Sequence, residues 1–188
     1  MYKCKCCGHE TLPVPPEDAV AYICPICRWE NVDKTLGDHM PFLVSLEENS
    51  DNELHIILSA AVVGENTSDM TDGLSASVTN VVSKHCPILP GNKTIDIRFD
   101  NYILYQVRNE SYVSFDRTEA RQGKYLCIFA ESKLLAYLET VTDVQRGENG
   151  STYPGPWRHY GIRTQNQIID VVSHFEPMVT VTESGEPK

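Results

Sequence analysis

The sequence predicts an α+β fold: a small cysteine-rich module, then a mostly antiparallel sheet with one or two helices packed against it. Three observations predict it. Five of the seven cysteines fall within the first 27 residues, four of them in two Cys-x-x-Cys pairs. The apolar runs that follow are short, several alternate with period two, and Gly, Pro and Asn punctuate them, as strands and turns require. Two later stretches carry apolar residues at helical spacing.

The module comes first. Cys4 and Cys7 form one pair and Cys24 and Cys27 another, with residues 8–23 between them. Each Cys-x-x-Cys folds into a tight turn that aims two sulfurs at one point. Two such turns facing each other make the tetrahedral four-sulfur shell that zinc prefers, at about 2.3 Å per bond. Cys6 offers a competing sulfur in the first turn. Gly8 favours Cys7, because a glycine just after the second ligand can turn backbone N–H groups toward the sulfur. Pro25, directly after Cys24, presets a turn. The same paired turns can hold a single iron ion, so zinc is the first expectation and iron the second. Glu10-Thr11-Leu12 and Ala21-Tyr22-Ile23 can pair as a short hairpin, and Trp29 is placed to cover the metal. So short a segment buries too little surface to fold alone, and a bound metal would supply the missing stability.

Cys4-Lys5-Cys6-Cys7-Gly8-His9-Glu10-Thr11-Leu12, then Pro15-Pro16, then Tyr22-Ile23-Cys24-Pro25-Ile26-Cys27-Arg28-Trp29-Glu30 resembles the cysteine-rich CPCC domain of many small bacterial proteins. The resemblance covers about residues 2–33. Lys5 stands where that family usually has proline, and Asn31-Val32-Asp33 where it tends to be acidic. Neither departure removes a ligand. The resemblance implies the metal site and a bacterial cytosolic setting, and no particular activity.

Residues 34–52 are polar and charged and read as a linker; residues 53–182 read as the acidic α+β domain and 183–188 as a flexible tail. Leu54 to Leu58 is the first strand. Thr94 to Phe99 alternates as a half-buried strand does, Asp100-Asn101 suggests a turn, and Tyr102 to Val107 would be the returning strand. Tyr112–Phe115 and Tyr125–Phe129 are further strands, with Pro90-Gly91 and Gly123 as breaks. Helices are expected at Ser75–Lys84 and at Ser132–Thr142, the second capped by Ser132. Tyr160–Arg163 and Gln167–Val172 flank Thr164-Gln165-Asn166 as a hairpin, and Val179–Val181 adds a strand. The segment with Phe99-Asp100-Asn101-Tyr102, Asn109-Glu110-Ser111-Tyr112, His159-Tyr160-Gly161-Ile162 and Ile169-Asp170-Val171-Val172 also resembles an uncharacterised bacterial domain.

Charge narrows the function. Sixteen basic side chains face 26 acidic ones, a net charge of −10. Nucleic-acid binders usually show a basic face. Residues 1–40 offer only Lys3, Lys5, Arg28 and Lys34, against six carboxylates. The longest apolar run, Ile56 to Val63, falls far short of the roughly 20 residues a membrane helix needs. The N-terminus lacks an apolar signal core, which points to the cytoplasm, where clustered cysteines read as metal ligands rather than disulfides. There is no Walker loop, no Gly-x-Gly-x-x-Gly and no Gly-x-Ser-x-Gly.

The leading expectation is a non-enzymatic zinc-binding protein whose acidic domain takes a protein partner, a basic one on charge grounds. Immunity-type proteins that neutralise toxins share this size and acidity. Two alternatives stand beside it. One is nucleic-acid binding through the ribbon. The other is an enzyme around His159 and Asp170, which sit on adjacent arms of the expected hairpin and otherwise read as a hydrogen-bonded pair on a sheet face. Gly147 to Trp157 is a loop whose Tyr153 and Trp157 either pin it to the body or serve as binding anchors.

Overall fold

A computed structural model describes residues 2–3, 10–11, 25–65, 86–113, 116, 118–147, 149 and 151–183. These residues are mostly antiparallel sheet with two helices, the α+β class expected. In chain order the strands are β1 (Tyr2–Lys3), β2 (Glu10–Thr11), β3 (Phe42–Glu48), β4 (Leu54–Val63), β5 (Ile88–Phe99), β6 (Leu104–Asn109) and β7 (Ala120–Gln122). They continue with β8 (Leu126–Glu131), β9 (Gln145–Arg146), β10 (Thr152–Tyr153), β11 (Arg158–Arg163), β12 (Gln167–Ser173) and β13 (Met178–Glu183). The helices are α1 (Pro25–Thr35) and α2 (Lys133–Val141).

Two sheets face each other. One has the order β13-β5-β4-β3 and the other β6-β12-β11-β8-β7. Their inner faces share a core, with Leu54, Ile56, Leu58, Ile95, Ile97 and Phe99 on one side and Leu126, Tyr160, Ile162, Ile169 and Val171 on the other. The period-two pattern of Thr94–Phe99 is what puts Ile95, Ile97 and Phe99 inward together. Phe99 meets Tyr160 edge to face at 5.4 Å between centroids, a favourable aromatic geometry.

Helix α1 closes this sandwich. Trp29, Val32 and Leu36 recur at helical spacing and join the shared core, and Trp29 lies edge-on to Tyr160 at 5.3 Å. Trp29, expected over a metal, is thus buried in the sandwich. Asp33, on the same helix, is buried too. Its carboxylate accepts three successive backbone amides, Lys124 N, Tyr125 N and Leu126 N, each at 2.7 Å. The turn that offers them depends on Gly123 (φ +104), where a Cβ would sit 2.0 Å from the Leu126 carbonyl oxygen.

Several expectations are corrected. Residues 42–48, read as part of a linker, form β3 and pair with β4, because Leu43 and Leu46 pack on the shared core. Residues just before it are tied down as well: Gln165 donates to the carbonyls of Met40 and Pro41, and Tyr125 to that of Asp38. Tyr102–Val107 does not return beside β5. It crosses to the opposite sheet and pairs with β12, with Ser173 Oγ donating to the Asn101 carbonyl at the crossing. Pro90-Gly91 lies inside β5, beside the bulge between Ser59 and Ala61 where a proline's missing N–H does little harm. Tyr112, expected to open a strand to Phe115, instead ends a 3₁₀ turn (Glu110–Tyr112) whose start Asn109 Oδ1 caps by accepting from Ser111 N, and residues 114–115 lie outside the described residues. Glu10–Thr11 pairs with Tyr2–Lys3; Ala21–Ile23, its expected partner, lies outside the described residues, as does the helix expected at Ser75–Lys84.

Helix α2 starts where its cap predicts. Ser132 Oγ accepts from Leu135 N, and Leu134, Leu135 and Leu138 form a second, smaller core with Val144, Trp157 and Val172. Trp157 therefore pins the 147–157 loop to the body, while Tyr153 is exposed.

Candidate functional site

Of the four expected metal ligands, Cys27 is placed and Cys4, Cys7 and Cys24 lie outside the described residues. Cys27 is buried in the first turn of α1, after Pro25 at the helix start. Proline suits that position, where its missing N–H costs no helical bond. Unpaired amides at a helix start favour a thiolate, so Cys27 suits a metal shell. Among the described residues, no group of three or more His, Cys, Asp or Glu side chains is placed to share a metal ion.

A second constellation lies on the outer face of the five-stranded sheet. Antiparallel register sets its rows. Leu104, Val172, His159 and Phe129 are neighbours across four strands. Two residues along, Gln106, Asp170, Gly161 and Cys127 form the next row, and Arg108, Ile168 and Arg163 the third. Helix α2 packs its leucines over the end of this face that carries Leu104 and Val172. The remaining end is a cavity of about 250 Å³ over Asp170, with Arg108, Arg121 and Arg163 among its lining. Gly161 keeps its floor low: a Cβ there would lie 2.7 Å from the Phe129 ring.

The hairpin brings His159 and Asp170 together as expected. His159 Nε2 and Asp170 Oδ1 are 2.9 Å apart, and both residues are buried. Asp170 Oδ2 accepts from Gln106 Nε2 at 3.0 Å and from Arg108 Nε and a terminal guanidinium nitrogen at 2.9 and 2.7 Å. Burial pushes the Asp170 carboxyl up, but the His159 and Gln106 hydrogen bonds and the charges of His159 and Arg108 together hold it below the usual carboxylate range. It is an anion, so the His159 Nε2–H donates to it. On the other side of the ring, His159 Nδ1 lies 2.8 Å from the Ser132 hydroxyl oxygen, within hydrogen-bond distance.

Sequence reading missed Ser132 as part of this row, because its only local signal was the helix cap. A hydroxyl, an imidazole and a carboxylate in this order can move a proton from the hydroxyl. Here Ser132 has ordinary extended backbone (φ −155, ψ 157) and its oxygen also accepts the Leu135 amide. The row thus orients the imidazole, and the imidazole and Gln106 orient the carboxylate that anchors Arg108 at the cavity. The three arginines were missed as well. They are far apart in sequence, and only strand register unites them.

Fold and sites together define an antiparallel sheet sandwich whose cysteine-bearing first part reaches into the shared core through α1. A model of the cysteine-rich CPCC family matches residues 2–52. The match runs past the cysteine pairs and takes in α1 and β3. No curated protein and no solved structure matches the chain.

Proposed function

We propose that this is a non-enzymatic, zinc-dependent binding protein. Cys4, Cys7, Cys24 and Cys27 hold one structural zinc ion. The ion supplies a crosslink rather than chemistry: it ties the first turn of α1 to the residues before it. The carrying observation is the burial of Cys27 at the start of a helix whose Trp29 lies in the shared core. A metal that fixes this turn fixes Trp29 and Asp33 as well. The body, with the chain's net charge of −10, takes a basic protein partner in the cytoplasm.

Elemental analysis of the purified full chain tests the metal directly. One equivalent of zinc and no visible absorption are expected; iron with its colour would replace the ion, and no metal at all would overturn the site. Stripping with a strong chelator should first expose the α1 amides to hydrogen exchange. An α1 equally protected with and without metal would remove the structural role. Capture on the tagged protein from lysate should enrich a basic protein that elutes with salt, and no enrichment counts against a partner.

A further inference from the structure

Among the described residues, none of those lining the cavity over Asp170 is an expected metal ligand. We propose that this cavity binds a small oxyanion-bearing metabolite, phosphate or carboxylate in its chemistry, through Arg108, Arg121 and Arg163.

Three features support this. The first is placement. Arg108 and Arg163 flank Ile168 on one cross-strand row, and Arg121 faces outward from β7 opposite Phe129, so three guanidinium groups reach one concavity from three strands. Guanidinium is the side chain best matched to planar and tetrahedral oxyanions. The second is charge. Among the described residues, each carboxylate on the wall already has donors from the protein. Asp170 has His159, Gln106 and Arg108; Asp116 has Lys133 at 2.5 Å and Thr118; Glu119 accepts from the Lys133 backbone amide. Among the described residues, with Lys133 included, the site holds four positive groups against three negative ones, in a chain with an excess of ten negative charges. Burial raises the Cys127 thiol, so that residue adds no negative charge to the floor. Burial, with the charge of Arg121 beside it, weighs against the Arg163 cation, and the charge of Asp170 supports it, so a further anion in the cavity would act in the same direction as Asp170. The third is size. A cavity of about 250 Å³ is well above the minimum of roughly 10–15 Å³ that one water needs, and leaves room for a small metabolite. The His159–Asp170 pair is the positioning element: it holds the carboxylate that fixes Arg108.

Isothermal titration of the full, metal-loaded chain with inorganic phosphate and, separately, with succinate tests the proposal. One of the two should bind saturably at a single site with a dissociation constant of about 1 mM or tighter. Arg163→Met should weaken that binding about tenfold or more, as expected for a lost charge-assisted contact. Arg121 is exposed, so Arg121→Glu leaves the fold intact and should abolish binding even where Arg163→Met fails to fold. Arg98→Met, on the exposed face of the other sheet, should bind as the parent does. Preference for phosphate or succinate identifies the headgroup. Failure of both probes to saturate, or equal losses from Arg98→Met and Arg121→Glu, would overturn the site. Neither result bears on the zinc.

Discussion

Replacing Asp33 with alanine should undock α1 from the five-stranded sheet, and the size of the effect follows from the amides it serves. Tyr125 and Leu126 are buried, so their N–H groups cannot exchange Asp33 for water, whereas Lys124 lies in an exposed residue. A buried donor left without an acceptor costs roughly 1–3 kcal/mol, so two of them put Asp33→Ala at about 4 kcal/mol. Asparagine gives a sharper test. Tyr125 N and Leu126 N both bond Oδ1, while Lys124 N bonds Oδ2. An asparagine oxygen at the Oδ1 place keeps two of the three bonds, weaker for want of charge, and its amide nitrogen faces only the more exposed Lys124. Asp33→Asn should therefore cost about 1–2 kcal/mol. Urea denaturation of the full chain measures both values, and hydrogen exchange at Leu126 reads the same clamp locally. Equal costs for the two variants, or an alanine cost below about 1 kcal/mol, would refute the clamp.

Two further outcomes are expected. Gly161→Ala pushes a methyl to 2.7 Å from the Phe129 ring, which should cost about 1–3 kcal/mol in urea denaturation, and a cost near zero would mean the ring moves aside freely. Asp170→Asn should cost about 3 kcal/mol at neutral pH because it breaks a buried charged pair. The folded carboxyl titrates below its ordinary value of 3.8, so its contribution is complete above that pH and is lost as pH falls through the folded value. The stability gap between the parent and Asp170→Asn should then narrow below 3.8, and a gap constant across that range would show the carboxylate is not held as described.

Local signals were readable in the sequence where the physics was local. Alternation marked Thr94–Phe99, a serine cap marked the start of α2, and polar residues between two apolar runs marked the turn at 164–166. Pairing between distant segments was not readable. Asp100-Asn101 has the composition of a hairpin turn, yet the chain crosses there to the other sheet because Phe99 and Tyr105 both pack on the one shared core. The charged composition of residues 34–52 hid β3, and its core-packed Leu43 and Leu46 are three residues apart, out of the period-two pattern because a bulge lies between Leu43 and Ser45. Of the outer-face constellation, only His159 and Asp170 could be seen, since a short hairpin joins them. Ser132 and the three arginines arrive on other strands, and nothing in a one-dimensional pattern sets their register.

One turn joins the two halves of this protein. Residues 124–126 lie between Arg121 and Cys127, both on the cavity, and their amides are held by Asp33 of α1, six residues after Cys27. The match to the cysteine-rich family takes in both Cys27 and Asp33. The helix is therefore more than the end of a cysteine module: it supplies Trp29 to the shared core and Asp33 to the turn that sets the β7–β8 edge. A short cysteine-rich segment has little core of its own, and this one uses the core of the sandwich. That dependence runs both ways, because without α1 the three amides at the edge of the five-stranded sheet would lose their acceptor.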